Sequence, residues 1–320
     1  MAPIKQTVIL VGGLKKHVQK SSHRIIWPPK YLENTSCPLC NSNTYIQVYP
    51  QHFPRIVTCV VCRLIYTNPR LKSKYLEEIY TEEYFKNDHS SVLGYSNYLQ
   101  DKKNIIKTFD KRLSKIETFV PVGKLLDVGC ATGFFMYSAK MRGWKVEGVE
   151  ISEYAASYVR EHYGFKVHVG DIQRIDLPAN TYDLITLWDV IEHLGNPIEA
   201  IKILKRALKK NGVLVFSTPD VRSLPAKLTK HKWIGYKLSD EHLTYFSKKT
   251  AALLLEKAGL YLISSKHVGK YVNFSLFTDR VGLYNKAVGA VLNIAQFVLP
   301  KDLGFYVNPF DIICVYAKKK

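Results

Sequence analysis

The chain has 320 residues, 47% of them hydrophobic, with a mean hydropathy of −0.10 and a formal charge of +19. That length holds one large domain and a small one, and the composition fits a soluble globular protein with no apolar run long enough for a membrane span. Residues 1–80 carry 11 basic against 3 acidic side chains, 81–221 carry 19 against 18, and 222–320 carry 16 against 6. The excess therefore flanks a nearly neutral centre. It points to an anionic partner (a nucleotide-sugar, a diphosphate-linked lipid, a membrane surface or RNA) or to a solvated basic surface.

Residues 1–36 read as a basic extension, with Pro28-Pro29 marking an irregular approach to the next segment. The apolar Thr7-Val8-Ile9-Leu10-Val11 is short and lacks a small-residue cleavage site, which predicts no signal peptide and a cytoplasmic location. Residues 37–66 hold Cys37-Pro38-Leu39-Cys40 and Cys59-Val60-Val61-Cys62, two C-x-x-C knuckles with eighteen residues between them. This spacing is that of a zinc ribbon built on short hairpins. Four thiolates close a tetrahedron and leave no open position, so the zinc would be structural. Disulfides are the alternative, but a reducing compartment argues against them. Residues 67–120 form a tyrosine-rich lead-in (Tyr75, Tyr80, Tyr84, Phe85, Tyr95, Tyr98) ending in a helix near 102–117. Pro121-Val122-Gly123 is a turn into a core over 121–320, with insertions at 220–245 and 275–308.

In that core, strands are expected at 124–128, 146–150, 167–169, 183–188 and 213–217, and helices at 133–142, 153–163, 197–209 and 247–258. Asn211-Gly212 is read as the turn before the fifth strand. Regular alternation predicts an α/β, doubly wound parallel sheet. Tyr261–Val268 and Pro309–Ala317 read as two further strands. Between them, 281–299 is an apolar helix with a polar stripe of Lys286, Gly289, Asn293 and Gln296: a core helix, a lid, a dimer contact or an interfacial membrane helix. The 220–240 insertion places Arg222, Lys227, Lys230, His231, Lys232 and Lys237 around Trp233 and Tyr236. That mixture suits a sugar phosphate, a nucleic-acid strand or an ordinary packed loop.

The most informative stretch is Leu125-Leu126-Asp127-Val128-Gly129-Cys130-Ala131-Thr132-Gly133, a strand running into a glycine-bracketed turn and a helix. The G-x-x-x-G spacing does not fit a dinucleotide clamp, and a second strand ends in the carboxylate of Glu150, suited to a ribose diol. Here the sequence resembles the class I S-adenosylmethionine (SAM) methyltransferases. The resemblance implies a seven-stranded Rossmann-like sheet closed by an antiparallel pair, and SAM as cofactor. It implies that Gly129, Cys130, Ala131 and Gly133 line the methionine portion and that Asp127 orients the loop or binds the amino group. Glu150 would bind the ribose and Ile151 the adenine. Asp171 would accept from the adenine amino group, with Ile172 and Trp188 completing the pocket.

Asp189-Val190-Ile191-Glu192-His193 resembles the fourth motif of ubiquinone-pathway O-methyltransferases and of enzymes acting on the terminal ribose of small RNAs. Members of both groups hold a divalent cation with an E-x-x-E-H cluster; here Asp189 stands in place of the first Glu. Thr218-Pro219 and a later His242 extend the likeness. Asp189, Glu192, His193 and His242 are thus a candidate magnesium or manganese site, or else Glu192 and His193 merely order the loop. His242 or His193 is the candidate base, with Glu192 beside it. The ribbon followed by the SAM domain is similar to small-molecule methyltransferases. The expected activity is methylation of a hydroxyl on a glycan-related or other small acceptor. The alternatives are an RNA ribose 2′-O-methyltransferase, a sugar C-methyltransferase, or a non-catalytic SAM-binding module that docks a partner.

Overall fold

The computed structural model describes residues 28–49, 55–76, 80, 101–238, 241–284, 288–289, 291–292 and 304–319, together with the backbone of three N-terminal strands. Those strands are β1 (Gln6–Val11), β2 (Leu14–Gln19) and β3 (Arg24–Ile26), joined in one antiparallel sheet. No strand is expected in this basic region from its charge or from the short apolar run over 7–11 alone. A β-branched run followed by Gly12-Gly13 is nonetheless a hairpin signature.

The ribbon follows. Strand β4 (Leu32–Glu33) pairs forward in the chain with β8 (Arg70–Leu71). Strands β5 (Tyr45–Gln47), β6 (Ile56–Cys59) and β7 (Ile65–Thr67) form an antiparallel sheet that takes its fourth strand, β14 (Thr244–Tyr245), from the far end of the chain. The boundary expected at residue 66 falls inside β7. After α1 (Ser73–Leu76), the predicted helical positions Tyr84, Phe85, Tyr95 and Tyr98 lie outside the described residues. Helix α2 (Lys102–Ile116) turns Ile105, Phe109, Leu113 and Ile116 inward, one apolar residue per turn.

The central sheet is built from β9 (Lys124–Val128), α3 (Phe134–Met141), β10 (Lys145–Glu150), α4 (Glu153–Tyr163), β11 (Lys166–Val169), β12 (Tyr182–Trp188), α5 (Pro197–Ala207) and β13 (Leu208–Pro219). Helix α6 (Leu224–Thr229), β14 and α7 (Lys248–Ala258) follow, then β15 (Tyr261–His267). The chain continues through β16 (Lys270–Asn273), α8 (Phe274–Tyr284), β17 (Gly304–Val307) and β18 (Ile312–Lys318). Strand order is β11-β10-β9-β12-β13-β18-β15, with β9 to β13 parallel and β18 antiparallel to both neighbours. One face packs on α2 and α3, and the other on α5 and α7. Parallel strands covered on both faces must be apolar throughout, which is why β9 and β12 read as near-continuous hydrophobic runs. Chain order reverses between β9 and β12, so the crevice for ligands opens at the carboxyl ends of β9, β10 and β12.

Three local expectations change. Asn211-Gly212 lies within β13, where a register shift against β12 and a left-handed Asn211 (φ 65°) make a bulge and not a terminal turn. Strand β18 starts at Ile312 because Asn308 caps a turn, accepting from the Phe310 N–H, and Phe310 itself is left-handed. Trp233 and Tyr236 are 1% and 3% exposed, packed with Ile56, Ile65, Val221, Ala226 and Tyr245 between ribbon and insertion. They are the ordinary packed loop of the three readings; burying each aromatic contributes roughly 1.5–3 kcal/mol. Of the helix expected over 281–299, residues 281–284 end α8 and Gly289 is buried, while Lys286, Asn293 and Gln296 lie outside the described residues. Among the described residues, no helix is long and apolar enough to cross a membrane.

Candidate active site

Between β9 and α3 the chain turns through Gly129 (φ 71°), Ala131 (φ 46°) and Gly133 (φ 79°). A Cβ on Gly129 would stand 2.4 Å from a Val190 methyl, so only glycine brings this loop against the β12 turn. Glu150 fastens the loop: its Oε2 accepts from the Ala131 N–H (2.8 Å) and its Oε1 from the Ser152 N–H (3.0 Å). A carboxylate offers about four acceptor positions, so the backbone donors do not exhaust it. Burial raises the Glu150 carboxyl above its ordinary pKa, opposed by those backbone donors. Beneath the loop the Thr186 hydroxyl donates to Asp127 (2.7 Å), and burial pushes the Asp127 carboxyl up to about 8.

The remaining cofactor expectations divide. The Cys130 side chain packs with Met136 and Val159 and does not face the crevice, so Cys130 reaches the site only through its backbone. Ile172 is buried in the main core, and Ile151 is half-buried beside the end of β10. Asp171 accepts from the Gln173 N–H (2.9 Å), which is the geometry of a turn aspartate. Trp188 closes β12 with its ring against Phe135 and Phe109, and its indole N–H has no hydrogen-bond partner among the described residues.

Sequence reasoning missed Arg112. It is 8% exposed on the inner face of α2, its guanidinium 4.7 Å from the Trp188 ring, and its Nε has no hydrogen-bond partner among the described residues. A charged residue inside the stripe of Ile105, Phe109, Leu113 and Ile116 was the available signal. Nearby, burial and then Arg280 draw the Lys270 ammonium down to about 8, against the pull of Asp189 and Asp311.

Past β12 a single 3-10 turn, Ile191–His193, presents Glu192 and His193 to His242. Their ligand atoms lie within 4.8 Å of one another, and the two imidazole rings meet edge to face with centroids 4.8 Å apart. Asp189 does not join them, correcting the four-residue set. The residue sits in a left-handed conformation (φ 55°), and its carboxylate instead accepts from the Ser217 hydroxyl of β13 (2.7 Å). Glu192 is 1% exposed, and neither carboxyl oxygen has a hydrogen-bond partner among the described residues. Burial, and then Asp189, raise its pKa well above the carboxylate range, with the nearby Thr218 hydroxyl acting in the opposite sense.

The hydrogen bonds of His193 fix its tautomer. His193 Nδ1 lies 3.1 Å from the Glu241 carbonyl and 3.1 Å from the Tyr80 hydroxyl. A carbonyl only accepts, so Nδ1 carries the proton and Nε2 keeps its lone pair. Burial brings His193 down to about 4, and burial and then His193 push His242 well below the usual value. The cluster thus brings the two imidazole rings and the Glu192 carboxyl into one buried space.

A model of the methyltransferase domain matches residues 99–265. The chain belongs to the methyltransferase domain family. The glycine loop and strand order are those of its class I SAM-dependent members. The chain is similar to the ubiquinone biosynthesis O-methyltransferase of Histophilus somni, at 32% identity over 105 residues, covering 30% of this chain and 44% of that protein. It is also similar to the mitochondrial ubiquinone biosynthesis O-methyltransferase of Schizosaccharomyces pombe, at 32% over 114 residues, covering 33% and 40%. The chain thus spans less than half the length of these curated relatives. A SAM-dependent methyltransferase structure from Archaeoglobus fulgidus superposes with a TM-score of 0.48 at 19% identity, covering 69% of this chain and 99% of that one.

Outside this methyltransferase domain, the four ribbon cysteines form one cluster. Sγ of Cys37 lies 3.4 Å from that of Cys62, and Sγ of Cys40 lies 3.4 Å from that of Cys59. Both knuckles end alike: Asn41 (φ 59°) and Arg63 (φ 64°) donate their N–H to the carbonyls of Cys37 and Cys59. Tetrahedral Zn–S bonds of about 2.3 Å imply sulfurs roughly 3.8 Å apart, so the thiols fit that ion.

Proposed function

We propose that the protein transfers the SAM methyl group to a hydroxyl oxygen of a small anionic acceptor, with sugar and other glycan-related compounds as the leading class. The observation carrying this reading is the Glu192, His193 and His242 cluster: a buried carboxyl with no hydrogen-bond partner among the described residues, its ligand atom within 4.8 Å of those of two imidazoles. An oxygen nucleophile needs a proton acceptor as it attacks the methyl carbon. The new C–O bond forms as the C–S bond breaks, S-adenosylhomocysteine departs, and the hydroxyl proton passes to His242 or His193. The relatives' name as O-methyltransferases points the same way.

Glu192, His193 and His242 also fit a divalent cation, with one hard and two borderline ligands and the His193 imidazole braced by the Glu241 carbonyl. Such an ion would acidify a bound hydroxyl. The guanidinium of Arg112 suits the carboxylate of SAM, and Lys270 and Arg280 supply positive charge for an anionic acceptor. Zinc in the ribbon would be structural. An RNA acceptor is less well supported, because Trp233 and Tyr236 are buried and unavailable for stacking.

The test is methyl-labelled SAM with the purified protein and cell extract split into glycan, lipid, small-molecule and RNA pools. Label is expected outside RNA. Glu192→Gln and His242→Asn are then expected to lower turnover by about 10²–10⁴ while SAM affinity stays unchanged. Label confined to RNA, or full turnover in both variants, would overturn the assignment. Chelation at constant zinc content, followed by magnesium or manganese, decides whether the cluster works with an ion.

A further inference from the structure

The ribbon is built into the same sheet as the segment that carries His242. Strand β7 pairs with β14, Thr244 opposite Tyr66 and Tyr245 opposite Ile65. One residue further along β7, Thr67 is fully buried and reaches the candidate centre's own backbone. Its hydroxyl donates to the His242 carbonyl (2.8 Å), and its N–H donates to the Leu243 carbonyl (3.0 Å). From the opposite side, the Leu243 N–H donates to the Glu192 carbonyl (2.8 Å). The peptide joining His242 to Leu243 is therefore held between the ribbon and the turn bearing Glu192 and His193.

The second cysteine knuckle fixes the other end of this arrangement. It forms the turn between β6 and β7, where Cys59 donates its N–H to Leu64 (2.9 Å) and accepts from Arg63 (3.1 Å). Beyond Thr67, Arg70 donates to the Gly195 carbonyl (2.7 Å), two residues past His193. Ribbon and fourth motif are thus bonded on both flanks of the cluster. A ribbon serving only as an independent docking module would not need its strand hydrogen-bonded to a catalytic peptide.

We propose that the ribbon is a working part of the active site, with Thr67 as the positioning residue that sets His242 against Glu192 and His193. This rests on His242 belonging to the reacting centre. Placement to within a fraction of an ångström governs proton-transfer geometry, so a side chain that never touches substrate can control rate.

The test uses full-length protein carrying ¹³C,¹⁵N-labelled histidine, with the His242 ring signals assigned by their loss in His242→Asn. Thr67→Val removes the hydroxyl at nearly constant volume. Its expected result is His242 ring signals moved by more than a linewidth, unchanged SAM affinity by calorimetry, and return of the signals in Thr67→Ser. With an acceptor in hand, kcat falls about ten- to a hundredfold while the SAM KM holds. His242 signals that stay in place in Thr67→Val overturn the proposal. So does a loss of SAM binding in that variant, which would make β7 a support for the whole fold. Full turnover in His242→Asn would instead sink the role assigned to His242, whatever the position of its ring.

Discussion

The two halves of the crevice are built in opposite ways. The half proposed for SAM uses β9, the glycine loop, α3 and β10, and its residues from Asp127 to Ser152 lie close together in the chain. Glu150 and the Ala131 N–H it holds are nineteen residues apart. The half proposed for the acceptor draws on Thr67, Tyr80, Glu192, His193 and His242, brought together across separations as large as 175 residues. One half is a local turn with its strand neighbour. The other is a tertiary assembly whose precision depends on a small domain far away in sequence. Damage to the first should therefore show as lost cofactor affinity, and damage to the second as lost rate.

The sharpest test of that division is Gly129→Ala. Left-handed backbone and a Val190 methyl 2.4 Å away leave no room for the new Cβ, so SAM affinity is expected to drop about a hundredfold or more. The His242 ring signals should stay put. Coupled loss of both would break the division, because Val190 belongs to the turn that carries Glu192. A smaller effect is expected at Glu150. Glu150→Ala removes the acceptor for two backbone donors and should cost about 2–3 kcal/mol of SAM binding, whereas Glu150→Gln keeps one acceptor oxygen and should lose less. Equal losses from the two variants would mean that charge, and not loop fastening, is what matters there.

The smallest expected effect is a pH dependence confined to the acceptor half. His193 is held neutral in the fold, with its pKa lowered from 6.5 to about 4, mainly by burial. The unfolded chain therefore takes up a proton first as pH falls, and His193 removes stability progressively from about pH 6.5 to about pH 4. His193→Gln should flatten the denaturation midpoint over that window and leave its value at pH 8 nearly unchanged. A wild-type midpoint that rises as pH falls through the window would refute the neutral assignment.

Legibility followed the same line. The glycine loop, Glu150 and the strand-helix alternation could be read because a nucleotide-binding turn is encoded within some twenty-five contiguous residues by glycine placement and hydrophobic period. The two C-x-x-C knuckles could be read for the same reason, since each presents its ligands from one turn. Asp189 was misplaced because its spacing matched a ligand motif, while a left-handed backbone at the end of β12 turned its carboxylate toward Ser217. Arg112 was missed because a lone cation in an amphipathic helix looks like surface until α2 is packed on Trp188. Trp233 and Tyr236 suggested a binding platform until the ribbon covered them.

By itself the sequence determined the sheet, the cofactor loop and the paired cysteines, because each is set by short-range pattern: period, turn chemistry and ligand spacing. Only the tertiary structure decided which of the acidic and imidazole groups meet, which of their ring nitrogens are free, and that β7 of the ribbon carries the peptide of His242. Those outcomes depend on hydrogen bonds between distant segments, and nothing in the local pattern on either side records its partner.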